Sequence, residues 1–377
     1  MPFSLSRRSF AGRLGLAAGA ALLESPITRI AEAAARSPRP ADAILLNSNE
    51  NPYGPSPKAV GAYAQAGSLA NRYPDALEDE MRAAIARHHG VAPDQVVLGC
   101  GSSEILQMAD EAFAGPLRRV VAAEPTFEAV LLYAKAIRAE GVKVPITADF
   151  RHDLPKMAVA AADGAGLVYV CNPNNPTGTI VPGDELAAFV ASVPPTVTIL
   201  VDEAYHHFVE DPRYRSAVEL LGKAPNVVVA RTFSKIYGMA GLRLGYAVGS
   251  KERIAAMADF ASFSNANAGV LAAALASLAE EDLVPKQRKL MNDTRRRLVA
   301  EMTSQGRRTI PSETNFVMID VGGDVAPVIA AFRKRNILVG RKFPSLPNWL
   351  RVTIGKPDEM QAFTAALSEI VPARAAA

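Results

Sequence analysis

The chain has 377 residues, enough for one large domain and a smaller one, with 49% hydrophobic and 21% charged residues. A formal net charge of +3 without any lysine/arginine run argues against a nucleic-acid partner. Two cysteines, Cys100 and Cys171, are too few for a disulfide framework, and each follows an apolar run, so both are expected as buried free thiols.

In chain order, the first element is a leader. "SRRSFAGRLGLAAGAALL" sets Arg7 and Arg8 before a short Ala/Gly/Leu stretch, and small-residue sites follow in "AEAAARS". This is the layout of an export signal of the twin-arginine kind, read here over residues 1–35, with a mature chain starting near Ala34 or Arg36. The apolar part is too short to span a bilayer, and no other stretch is long enough. Residues 36–72, containing "NENPYGPSP", are rich in proline, glycine and polar side chains and are expected to form an arm and substrate-side loop.

From about Val96 short apolar strands alternate with helical patterns. "QVVLGCG", "RRVVAAEP", "VKVPIT", "GLVYVCNP", "VTILVDEAY", "NVVVART" and "LGYAVG" are the strands, with "SSEILQMADEAFA" and "FEAVLLYAKAIRAEG" among the helices. Continuous apolar strands interleaved with helices predict a parallel sheet covered on both faces, an α/β fold over residues 73–265. One long helical stretch then runs from about Ala268 to Gln305. "TNFVMIDV", a helix around Val325–Arg335, "ILVG", "WLRVTIG" and a helix at Pro357–Ile370 complete a smaller α+β unit over residues 266–377.

Ligands of open α/β sheets gather at the carboxyl ends of the strands. Here "RTFSKIYG" places Lys235 just past a strand, "VDEAY" places Asp202, Glu203 and Tyr205, and "CNPNNPTG" places Asn172, Asn174 and Asn175. Each has a plain alternative as loop lysine, loop cap or turn. "GCGSSE" puts Gly99, Gly101, Ser102 and Ser103 between a strand and a helix, a turn that presents N–H groups to a phosphate. As a dinucleotide loop it lacks the third glycine, since Glu104 stands there. A phosphate cradle, an amide, a carboxylate, a phenol, a lysine and an arginine on one sheet edge fit one cofactor, pyridoxal phosphate. Its aldehyde needs a lysine amine for a Schiff base, and its ring nitrogen needs a carboxylate partner. The adjacent pairs His88-His89 and His206-His207 diverge in a regular strand or helix, so no metal is expected there. Tyr237 and Met239 are expected to pack, and Trp349 is either core or substrate wall.

With these motifs in family order across about Leu45–Ile370, the chain resembles the class I/II (fold type I) aminotransferases, and within them the histidinol-phosphate aminotransferases. The resemblance implies a large mixed, mainly parallel sheet domain and a smaller α+β C-terminal domain. It implies that Lys235 holds the cofactor and shuttles a proton, that Asp202 pairs with the ring nitrogen, and that Asn175 and Tyr205 bond the ring oxygen. Phe127 would stack on the ring where tyrosine is common in the family. Ser102, Ser103, Thr232, Ser234 and Arg243 would hold the phosphate. Tyr73 in "NRYPD" would reach the phosphate of a partner subunit, which implies a homodimer. Tyr53 lies on the substrate side, Arg351 matches the family's anion clamp, and Arg341 falls one position from a second family arginine. Transamination by a ping-pong route between an amino donor and a 2-oxo acid is the leading reading. A decarboxylase on the same scaffold, similar to threonine-phosphate decarboxylase, is the alternative.

Overall fold

The computed structural model describes residues 42–372, so the leader and the predicted start of the mature chain lie outside the described residues. A seven-stranded sheet forms the centre. Its strands are β2 (Val96–Gly99), β3 (Arg119–Glu124), β4 (Gly141–Pro145), β5 (Ala165–Cys171), β6 (Thr198–Asp202), β7 (Val227–Thr232) and β8 (Gly245–Gly249). The spatial order is β2-β8-β7-β6-β5-β3-β4. β8 runs antiparallel to both β7 and β2, and the other pairs are parallel.

The uninterrupted apolar runs have a direct cause. Along β6, Leu200 packs with the helices Ser102–Phe113 and Lys251–Ala258, whereas Ile199 and Val201 pack with the helices Leu154–Ala162 and Gly183–Ser192. Both faces are covered, so no position can alternate to polar. Each fully buried aliphatic side chain there contributes about 1.5–3 kcal/mol relative to exposure.

Two small sheets stand apart from the large one. β9 (Phe316–Asp320) pairs antiparallel with β11 (Trp349–Thr353). β1 (Ile44–Leu46) pairs parallel with β10 (Ile337–Val339), so within the predicted arm residues 44–46 are a strand tied to the C-terminal elements. The closing helix is Pro357–Ile370, with the bounds read from the sequence. The expected single helix from Ala268 is instead two, Ala268–Leu278 and Leu283–Ser304. Three consecutive acids, Glu280-Glu281-Asp282, separate them, and Pro285 sits in the first turn of the second, where a missing N–H is tolerated.

Two smaller expectations also need correction. Cys171 is buried, but Cys100 is exposed, because it follows the last buried residue of β2 in the turn. The rings of His206 and His207 do not diverge: they sit in a short 3₁₀ turn with centroids 3.7 Å apart. Tyr237 and Met239 are buried in the core, as expected. Trp349 is partly buried and packs on Phe150, its ring 5.1 Å away, beside Ile310 and Met318.

Candidate active site

The strand ends converge as the topology requires. Asp202 closes β6 and Thr232 closes β7, while Ser102 opens the helix that follows β2. A cavity of about 160 Å³ joins Ser102, Ser103, Thr232, Ser234 and Arg243 at one end to Lys235, Asp202, Tyr205, Asn175 and Phe127.

The Ser102 end is built for a dianion. Gly101 caps the helix with no side chain of its own and with φ 76°, and a Cβ there would run into the Arg243 guanidinium. Glycine is therefore required twice, by the backbone angle and by the arginine. Arg243 Nη1 donates to Ser234 Oγ at 3.3 Å and to the Ala240 carbonyl at 3.1 Å, and Thr232 Oγ1 donates to Ser234 Oγ at 3.0 Å. Hydroxyls, a guanidinium and a helix N-terminus, with no carboxylate lining the cavity at this end, suit a phosphate.

At the other end Asp202 is 3% exposed. Burial raises its pKa, opposed chiefly by two donors. Tyr169 Oη donates to Asp202 Oδ2 at 2.8 Å, and the Ala204 N–H donates to Oδ1 at 3.0 Å. Glu203, one residue on, points to the opposite side. It is held by Arg231 at 2.8 Å, by Ser216 and by the Ala217 N–H, and this network separates it from the cavity. The choice between the two acids is thus made by strand alternation.

Lys235 Nζ donates to the Asn49 carbonyl at 3.0 Å. Burial, then the Arg351 charge, pull its amine down to about 8, against the opposing pull of Glu50 and Asp202. A larger fraction is therefore neutral near pH 7 than for an ordinary lysine. Arg351 is 8% exposed, between the rings of Phe316 and Phe343 at 5.5 and 5.3 Å. Its Nη1 donates to Asn175 Oδ1 at 2.7 Å and its Nη2 to the Asn47 carbonyl at 2.8 Å. Burial pulls the guanidinium down to about 10, leaving it charged at neutral pH.

Three predicted residues stand outside this group. Arg341 is half exposed, paired with Glu128 at 2.9 Å, and its guanidinium lies 4.4 Å from the Phe343 ring centre. Tyr53 packs against the core near Glu359 and Asp358. Tyr73 is 83% exposed and lines a different and larger cavity of about 770 Å³ with Tyr63 and Phe263.

Comparison with known proteins decides the family. The family model described as "Aminotransferase class I and II" matches residues 41–367. The chain is a class I and II aminotransferase. A histidinol-phosphate aminotransferase of Symbiobacterium thermophilum is 42% identical over 328 residues, 86% of this chain and 90% of that protein. An aromatic amino acid aminotransferase of Thermobifida fusca is 40% identical over 318 residues, 84% of this chain and 88% of the other. The crystal structure of histidinol-phosphate aminotransferase from Sinorhizobium meliloti in complex with pyridoxal-5'-phosphate superposes with a TM-score of 0.82 at 28% identity, covering 87% of this chain and 90% of that one. This aminotransferase is therefore pyridoxal-phosphate dependent, and its fold is the fold type I architecture.

Sequence reasoning missed two members of the site. Tyr169 is fully buried on β5, on the same sheet face as Asp202. A lone phenol in the otherwise aliphatic "GLVYV" was its signal, because a buried hydroxyl needs a partner. Asn49 meets both Lys235 and Tyr205, and no local pattern announces a contact across 156 residues.

Proposed function

We propose that this aminotransferase moves an amino group from a donor that carries an anion, an amino acid or a phosphorylated amino alcohol such as histidinol phosphate, to a 2-oxo acid. The observation that carries the reading is Arg351. Its two hydrogen-bond partners are neutral, and its buried Nε has no partner among the described residues. A desolvated guanidinium without a countercharge fits an incoming carboxylate or phosphate. The histidinol phosphate and the aromatic amino acid named for the relatives would each supply such an anion.

When bound, the cofactor supplies an electron sink that makes the donor's Cα–H acidic. Ser102, Ser103, Thr232, Ser234 and Arg243 would hold its phosphate, and Phe127 would cover one face of its ring. Asp202 would hold a protonated ring nitrogen, while Tyr205 and Asn175 would bond the ring oxygen. Lys235 would anchor the group and, once displaced by the donor amine, carry the Cα proton. An amine already lowered to about 8 takes and gives a proton readily near neutral pH. The test is the half-reaction: purified protein mixed with a panel of amino acids and phosphorylated amino alcohols, followed by absorbance and by the oxo product. Release of CO2 with no oxo product from every active donor would contradict transamination.

The carboxylate of Asp202 is the charge this scheme depends on. Asp202→Asn should retain cofactor yet lose most of the half-reaction rate, since an amide does not hold the ring nitrogen protonated. Tyr169→Phe should act more mildly. Asp202 works ionised, so activity falls as pH drops through its pKa. Removing a donor worth about 1.5–3 kcal/mol to the ionised form raises that pKa and moves the acid limb of kcat upward by about one unit or more. An unmoved acid limb in Tyr169→Phe would remove Tyr169 from the account.

A homodimer with shared sites fits the exposed apolar face. Tyr73 and Phe263 are exposed by 83% and 103%, beside Tyr63 and the larger cavity. In this reading Tyr73 reaches the phosphate held by the other subunit. Phe263→Asp should shift the protein to monomers in sedimentation experiments, with loss of cofactor affinity; an unchanged dimer would exclude this face.

We also infer export through the twin-arginine machinery, on the strength of Arg7-Arg8 and the short apolar run after them. No helix among the described residues is long and apolar enough to cross a membrane. A folded route would carry the cofactor out in place. Replacing Arg7 and Arg8 together by lysine should leave the protein uncleaved in the cytoplasm; unchanged periplasmic protein in fractionation would refute the assignment.

A further inference from the structure

Asn49 belongs to the "NSNENPYGP" segment, yet none of the roles above uses it. It is 2% exposed and holds a left-handed backbone with φ 54°, which asparagine tolerates better than most residues. The surrounding bonds fix it from several sides. Its N–H donates to Thr353 Oγ1 at 2.9 Å, and that hydroxyl in turn donates to Asn49 Oδ1 at 3.2 Å. Its carbonyl accepts from Asn315 Nδ2 at 3.0 Å and from Lys235 Nζ at 3.0 Å. With Oδ1 engaged by Thr353, the amide presents Nδ2 to Tyr205 Oη at 3.0 Å.

We propose that Asn49 is a positioning residue that aims the Tyr205 phenol: by donating to the phenol oxygen, it turns the phenol's own proton into the cavity, toward the cofactor's ring oxygen. The inference rests on the reading of Tyr205 given above. Tyr205 is 4% exposed and lines the cavity, with its ring edge-to-face on Phe316 at 5.2 Å. Among the described residues its hydroxyl has one bond, the one it accepts from Asn49, so its proton is unspent. The same residue therefore orients the phenol through its side chain and steadies the free lysine through its carbonyl. The bond also opposes the upward push of burial on the phenol, which makes the group a better donor.

The bound cofactor itself reports the effect. Its visible band changes with pH when the proton shared between the lysine-linked nitrogen and the ring oxygen is lost. A donor to the ring oxygen favours the deprotonated form and lowers that midpoint, so weakening the donor raises it. Asn49→Gly removes the amide and keeps the backbone angle; Asn49→Ala is the second variant. Both should bind pyridoxal phosphate and raise the midpoint by roughly half a unit to one unit, the scale of one hydrogen bond. Tyr205→Phe should raise it further, and adding Asn49→Gly to Tyr205→Phe should raise it no more. A shifted Tyr205→Phe beside an unmoved Asn49→Gly overturns the proposal alone. So does an Asn49→Gly shift of equal size with and without Tyr205. An unmoved midpoint in Tyr205→Phe would overturn the reading of Tyr205, and the role of Asn49 with it.

Discussion

Lys235→Ala should abolish turnover while leaving the protein folded. The amine is the nucleophile and the proton carrier of the scheme, and loss of proton transfer alone removes about 10²–10⁴-fold. The fold should not be destabilised. The folded state lowers the amine's pKa to about 8, so below that pH both states carry the proton and the native state bears the full cost of holding the charge buried. At pH 7 the residue therefore costs stability, and alanine relieves that cost. The substitution forfeits the bond to the Asn49 carbonyl, a loss of about 1 kcal/mol in the other direction. Unfolding curves of the apoprotein at pH 7 should show the variant at least as stable as the parent, because the relieved cost exceeds the lost bond. The same pKa predicts that cofactor capture by the parent apoprotein speeds up as pH rises toward about 8 and then levels off. A Lys235→Ala variant that still turns over at the parent rate would remove the lysine from the chemistry.

Arg351→Ala should lower kcat/KM for anionic donors by roughly 2–5 kcal/mol of transition-state binding, because the donor's anion would be buried without a partner. Cofactor affinity should hold, since Arg243 and the four hydroxyls form a separate group at the other end of the cavity. Arg351→Lys should recover little. Arg351 spends Nη1 on Asn175 and Nη2 on the Asn47 carbonyl while keeping Nε free, and an ammonium has no planar fork to divide in this way. Steady-state kinetics on the best donor checks this. Full efficiency in both variants on every active donor would make Arg351 structural.

The parts of this protein that were legible in its sequence are those set by local chemistry. Leu200, between Ile199 and Val201, reads as a strand buried on both faces because helices cover both faces. Lys235, Asp202 and Gly101 each have an ordinary alternative as loop residues and stand out because one sheet edge gathers them all. The closing helix is legible because Pro357 and the Asp358-Glu359 pair suit a first turn. What was hidden depends on distant partners. The exposure of Cys100 and the close approach of the His206 and His207 rings follow from how a turn lies on its neighbours, whereas the two-helix break after Leu278 was marked locally by Glu280-Glu281-Asp282 and Pro285. Tyr169 and Asn49 acquire meaning only once β5 and β6 are in register and the arm has returned against β11. Arg341 reads as a substrate arginine by motif, yet its guanidinium pairs with Glu128 at the surface.

Borohydride reduction of the protein loaded with pyridoxal phosphate, followed by peptide mapping, tests the central claim most directly. The account predicts that the visible band disappears and that a single reduced adduct is found on the peptide containing "TFSKIYG", at Lys235. A band insensitive to borohydride, or an adduct on any other lysine, would contradict it.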